Sequence, residues 1–402
     1  MTIGALGIPI VSPDPVYALV GSNDPRQIRP YLDGVTGPHG DQARARLRAH
    51  PGFASVDGKQ IAFCRRAYGA FDERLAAAWW IKYANEHSVE AADKALDAYL
   101  AADFIQTDEV LWLFGIRPAA EFRIDDDTRL VPIAAAPDSV DRAKYELHAG
   151  LLSHEVALPT AAFVSRVAVP KLADPAHNPW ASYKLELYAR LTNCLPGLFA
   201  QPAMQTDYPL AEAPPGIFGA RGSVSAIGDL WPRRVLDIGA FDAGLLERLL
   251  DGLLGLPKQR RDRVERSLTR LGIAKARFDA QEKALDLGIA LEMVLLNAEN
   301  KGEEITSQLS NHFRTRGAWL LGDTSERRQS LHRTLGAIYN NRSKVAHNGF
   351  SEELLKAQAK GDAVVPPDHF TIAEEIIRSI ILDGPPTWSS LVMGGPRRET
   401  GE

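Results

Sequence analysis

The chain has 402 residues, 45% of them hydrophobic and 24% charged, with a formal net charge of -5. That length predicts two or three domains of ordinary globular composition, and the acidity excludes a nucleic-acid binder working by bulk electrostatics, though not one with a local basic site. The only cysteines are Cys64 and Cys194, with no CxxC, which excludes a disulfide framework and a zinc knuckle.

At the N-terminus, MTIGALGIPIVSPD has a short apolar run with no preceding Lys or Arg and no A-x-A site, so no signal peptide is expected. No run approaches the roughly 18 apolar residues of a membrane span, so no membrane partner is expected. A reducing cytoplasm is the expected location. Helical periodicity then appears in residues 71–86 and 88–104, the second with Ser88 as N-cap. Trp79 and Trp80 share their helical spacing with Leu75 and Tyr83, which predicts a core position. Strand-like stretches follow at 110–116, 121–124, 129–134 and 162–170, and the acidic run 124–129 reads as a turn between strands.

Residues 195–222 carry five prolines and several glycines and read as a linker. Of 26 prolines, 21 lie within residues 1–257 and none between Lys258 and Val365. Such a gap fits a continuous helical domain, because proline costs about 3 kcal/mol inside a helix. Helices are predicted over 241–257, over 258–299 as one long or one broken helix, over 304–322 ending at Gly322, from a Thr324 N-cap to an Asn348-Gly349 C-cap, and over 370–383. LDLGIALEMVLL, within the second of these, is apolar on nearly every side and marks a central core helix. The expected class is α+β: a mixed α/β domain over 1–194, a linker over 195–222, an antiparallel helical bundle over 223–390 and a flexible tail over 391–402.

The stretch AIYNNRSKVAHNG (337–349) places Arg342 and His347 near the end of a helix. His titrates near neutral pH and so moves protons; Arg offers phosphate oxygens a planar fork of donors. The spacing itself is common, since Arg and His with four or five residues between them recur at Arg44…His50, Arg142…His148 and Arg327…His332. On the predicted helix Leu331, Leu335, Ile338, Arg342 and Val345 lie within about 40° of one line. Arg342 therefore faces the core, and either closes an internal ion pair or points into a cleft or interface. His347 lies roughly 140° from it on a straight helix. The two converge only if the helix ends or bends at Asn348-Gly349, or if a two-fold dimer joins two helix ends; otherwise His347 caps the helix. Glu292 and Arg316 each interrupt an apolar run, which predicts a buried pair of Glu292 with Arg316 or with Arg342. Arg314, Arg316, Arg327, Arg328 and Lys344 are candidate substrate contacts or a solvated basic face. Phosphate-loop, zinc-hydrolase, nucleophile-elbow and dinucleotide patterns are absent, and neither cofactor nor metal is expected.

Three segments, KALDLGIALEMVLL, EITSQLSNHFRTRGAWLLG and IYNNRSKVAHNG, agree in order and spacing with the Apea-like HEPN domain of prokaryotic proteins, which the chain resembles over some 75 to 150 residues from about position 275. The resemblance implies a helical bundle that dimerises and acts as a metal-independent endoribonuclease in toxin, abortive-infection or other anti-phage systems. It places the family's catalytic Arg and His on Arg342 and His347, its RS pair on Arg342 and Ser343, its core Glu on Glu292 and the Arg of its middle segment on Arg316, with Lys344 beside them. Ala346 stands where Val is usual and Asn348 separates His347 from Gly349. Ser343 stands where many HEPN toxins carry Asn, Asp or His, which implies a differently tuned or inactive site. RNA as substrate, a homodimer through the bundle and a phage-derived or antitoxin protein as trigger are the partners this implies. Residues 1–220 carry no such resemblance and are expected to sense or target. The competing reading is a non-catalytic bundle for dimerisation or for ligand or RNA binding.

Overall fold

The computed structural model describes residues 3–8, 34–64, 67–136, 158–172, 182–209, 221–223, 235–296, 308–360, 365–384 and 386–393. The fold is α+β, with strands and helices in the N-terminal part and, among the described residues, helices alone beyond Ile238. Two compact units partition it. The first comprises Met1–Trp112, Asp126–Leu185 and Ala203–Ala226; the second comprises Leu113–Asp125, Glu186–Pro202 and Ile227–Glu402.

The N-terminal elements are α1 (Pro38–Ala49), the hairpin β1 (Gln60–Cys64) and β2 (Ala67–Ala70), α2 (Glu73–Glu86), α3 (Val89–Ala101) and β3 (Phe104–Phe114). Next come β4 (Ile116–Pro118), β5 (Phe122–Arg123), β6 (Thr128–Pro132), β7 (Ala161–Pro170), α4 (Ser182–Thr192), β8 (Gln201–Pro209), β9 (Arg221–Ser223) and β10 (Leu236–Ile238). In the first unit the strands lie in the order β6-β7-β3-β8-β9. Helices start where the sequence offers caps. Asp72 accepts from the amides of Arg74 and Leu75, and Ser88 from that of Ala91. Trp79 and Trp80 are buried with Leu47, Val56, Ile81, Leu96 and Leu100 in the core of this unit. The acidic run forms bends between β5 and β6.

The expected linker is corrected by the structure. Leu195, Phe199 and Ala200 are buried and β8 occupies Gln201–Pro209. Its prolines stand at the second and last positions of the strand, where a missing amide donor is best tolerated. Residues 210–220 of that stretch lie outside the described residues, as do 297–307 and the tail beyond Met393.

The second unit is a bundle of α5 (Ala243–Gly255), α6 (Lys258–Ala276), α7 (Ala280–Leu295), α8 (Leu309–Leu321), α9 (Ser325–Asn348), α10 (Glu352–Lys360), α11 (Pro367–Asp383) and α12 (Trp388–Val392). Of the two forms expected over 258–299, one long or one broken helix, the broken one is found, interrupted between Ala276 and Ala280, where Asp279 caps α7 through the amide of Glu282. α7 packs against α6, α8, α9 and α11 and is the central helix its apolar sequence predicts. Buried Asp286 fastens its first half to α6 by taking Arg270 at 2.8 Å and Arg277 at 3.2 Å.

Candidate functional site

α9 follows from local sequence. Thr324 caps its start by accepting from the amide of Arg327 at 3.2 Å, and Gly349, at φ +80°, ends it in the left-handed conformation that glycine adopts without a Cβ penalty. Leu331, Leu335, Ile338 and Val345 are buried along one line, and Arg342 occupies the position on that line where a fifth apolar residue would fit.

What receives Arg342 is the face of α7 carrying Gly288 and Glu292, one helical turn apart. A Cβ built on Gly288 would stand 2.4 Å from Cβ and 2.5 Å from Cγ of Arg342, so the arginine stem occupies the space a side chain would take. At its tip Nη2 contacts Glu292 Oε2 at 2.7 Å, with the arginine side chain 24% and the glutamate 18% exposed. Nε of Arg342 is buried without an acceptor. Burial raises the Glu292 carboxyl above its ordinary range, and the charge and hydrogen bond of Arg342 oppose that shift. Of the two ion pairs the sequence left open for Glu292, this is the one formed.

Arg316 goes elsewhere. It is buried, donates to the carbonyl of Leu295 at 2.8 Å, and sets its guanidinium 5.0 Å from the ring centre of Trp388. It thereby satisfies one of the open carbonyls at the end of α7.

His347 is exposed, and its side chain makes no hydrogen bond or ion pair with any described residue. Because α9 is helical without interruption through Asn348, the five residues separating it from Arg342 turn it roughly 140° away. Within one chain the structure therefore does not bring Arg342 and His347 together. Ser343 is half-buried beside Arg342, and Lys344 is paired with Glu353.

The turn after His347 is fixed by residues the sequence reading passed over. The backbone of buried Ser351 is held by the side-chain amide of Gln281, whose Oε1 accepts from the Ser351 N–H at 2.7 Å and whose Nε2 donates to its carbonyl at 3.3 Å, and the Ser351 hydroxyl reaches Asn341 at 3.0 Å and Glu353 at 2.9 Å. Lys344, the local backbone and Ser351 together hold the Glu353 carboxyl down at about 2. A serine followed by two glutamates is a recognisable helix start, and α10 was legible there.

A second ionic cluster was also missed. Lys275 on α6, buried, meets Glu374 of α11 at 2.7 Å and donates to the carbonyls of Asn193 at 2.7 Å and Leu198 at 2.6 Å. Arg378 donates to the carbonyl of Cys194 and lies 4.0 Å from Glu374. Desolvation pushes the Cys194 thiol up to about 12, which keeps it protonated and unreactive. All three Lys275 donors are used, so the cluster is a clamp on the turn after α4.

The basic residues considered as substrate contacts have local partners as well. Arg314 bonds Ser310, Arg327 reaches Leu321 and Glu375, and Arg328 donates to Gly322 at 2.8 Å and lies 3.9 Å over the Trp319 ring. Among the described residues no group of three or more His, Cys, Asp or Glu could hold a metal ion, and no helix is long and apolar enough to cross a membrane. No family model, curated protein or solved structure matches this chain.

Proposed function

We propose that the helical bundle is an endoribonuclease of the HEPN type, working without a metal and of an anti-phage, abortive-infection or toxin kind. The observation that carries the reading is the guanidinium of Arg342, at a core-facing position of α9 and paired with Glu292, with an exposed and unpaired histidine five residues on. His347 would assist attack of the RNA 2′-hydroxyl on the adjacent phosphate, and Arg342 would stabilise charge developing on the phosphoryl oxygens. The 2′-hydroxyl as nucleophile accounts for RNA over DNA: its oxygen bonds phosphorus as the P–O5′ bond breaks, giving a 2′,3′-cyclic phosphate and a leaving 5′-hydroxyl that takes up a proton.

Since α9 is straight, the two residues of one chain face apart, and the reading requires a second copy. In a two-fold pair of α9 ends, Arg342 of one chain meets His347 of the other. The N-terminal unit would then receive the activating signal, a phage-derived or antitoxin protein.

A second reading is favoured by the same ion pair. The hydrogen bond of Arg342 points inward to Glu292, as it would in a bundle that only binds or dimerises.

The deciding experiment is incubation of purified wild type and His347→Ala with total cellular RNA in EDTA, with analysis of product ends. Cyclic-phosphate ends from wild type alone support the nuclease. Equal cleavage by both refutes the role of His347. No cleavage by either, with the activating protein supplied, favours the binding module.

A further inference from the structure

A guanidinium takes a phosphate best along an edge that presents two N–H groups side by side. In Arg342 one such edge, formed by Nε and Nη2, is closed. Glu292 holds Nη2 at 2.7 Å, and Nε is walled off from solvent with no acceptor of its own. The stem cannot swing toward α7, because it already rests on the backbone at Gly288. A phosphate approaching the remaining edge would meet a cation already neutralised by a carboxylate, with that carboxylate close behind it.

We infer that Glu292 is a latch that restrains Arg342, and that the pair must open before the guanidinium can serve an anion. The purpose of the latch rests on the ribonuclease reading, whereas the restraint itself does not. Burial opposes the charged carboxylate while Arg342 favours it, so the contact supports both charges, and opening it requires a competing anion to take the place of Glu292 on Nη2.

Glu292→Gln tests this, since it keeps the size of the side chain and an acceptor for Nη2 but removes the charge. Labelling the folded protein with phenylglyoxal, which attacks accessible guanidinium groups, and mapping the sites by mass spectrometry reads the restraint without any substrate. Arg342 should label about tenfold faster in the variant, within the usual range of coupling between two groups, while exposed Arg333 and buried Arg316 keep their wild-type rates. RNA cleavage should rise in parallel. Unchanged labelling of Arg342 would overturn the latch, and so would faster labelling with slower cleavage, which marks a positioning residue. If no variant cleaves RNA with the activating protein supplied, the ribonuclease reading fails, and the labelling still decides the restraint. Glu292→Asp, one methylene shorter, withdraws the carboxylate from Nη2 and should accelerate labelling in the same direction, should the glutamine variant not fold.

Discussion

The Arg342 stem lies on Gly288 so closely that a methyl group there would overlap its Cβ and Cγ at 2.4 and 2.5 Å. Alanine normally stabilises a helix interior over glycine by up to about 1 kcal/mol. Here overpacking opposes that gain, at about 1–3 kcal/mol, and the overlapping atoms are those nearest the α9 backbone, which have little freedom to move. Gly288→Ala should therefore destabilise the protein by about 1–2 kcal/mol. Urea unfolding checks it; a more stable variant would mean that α7 and α9 separate easily.

Arg342→Ala and His347→Ala should both abolish RNA cleavage while differing in stability. His347 is exposed and has no partner among the described residues, so its loss should leave stability within about 0.5 kcal/mol of wild type. Arg342→Ala leaves Glu292 behind, but both side chains of the pair are partly exposed, at 24% and 18%, so the carboxylate keeps some contact with solvent. The cost should be about 1–3 kcal/mol, below the 3–5 kcal/mol of a fully buried pair. Thermal unfolding beside the cleavage assay separates the two effects.

Lys275→Met should be the most damaging of the ionic substitutions. It leaves Glu374, which is 2% exposed, with Arg378 at 4.0 Å as its remaining cation among the described residues, and strands two carbonyls that Lys275 serves. Breaking such a pair costs about 3–5 kcal/mol, a large share of the 5–15 kcal/mol that holds a typical domain together. Loss of cooperative unfolding, or failure to accumulate as folded protein, is the expected result. A methionine variant as stable as wild type would show the clamp to be dispensable.

The Glu353 carboxyl, lowered from 4.5 to about 2 by Lys344, the backbone and Ser351, fixes the sign of a pH effect. A carboxylate with a depressed folded-state pKa stabilises the fold above its unfolded pKa, and that contribution fades as pH falls towards the folded value. Glu353→Gln should thus be less stable than wild type at pH 7 and equal to it near pH 2. Solvent and salt screen so exposed a pair, which limits the difference to about 1 kcal/mol. Paired denaturant titrations across that range measure it, and a gap that widened on acidification would refute the assignment.

Elements with strong local chemistry were legible in the sequence. Thr324 and Gly349 bound α9 as expected, Ser88 caps α3, and the stripe from Leu331 to Val345 placed Arg342 inward. What escaped depends on distance along the chain or on the absence of a side chain. Gly288 carries no periodic signal, although it sets the closest approach of α7 and α9. Lys275 looks like any surface lysine, because its acceptors are carbonyls 77 and 82 residues away. The break between α6 and α7 contains neither proline nor glycine and rests on the Asp279 cap. The choice between Arg316 and Arg342 as the partner of Glu292 was undecidable from pattern, since both interrupt apolar runs; helix packing made it.

The Lys275 clamp also imposes an order of assembly. Its acceptors near residues 193–198 precede it in the chain, and Glu374 follows it by 99 positions. At about 5–20 residues per second of synthesis, Lys275 waits some 5–20 seconds for its counter-charge. Until then, burying the ammonium against the turn would leave its charge unbalanced, so this one tie between the turn and α6 closes only after α11 is made. The turn after α4 is thus secured in part by the last long helix of the chain.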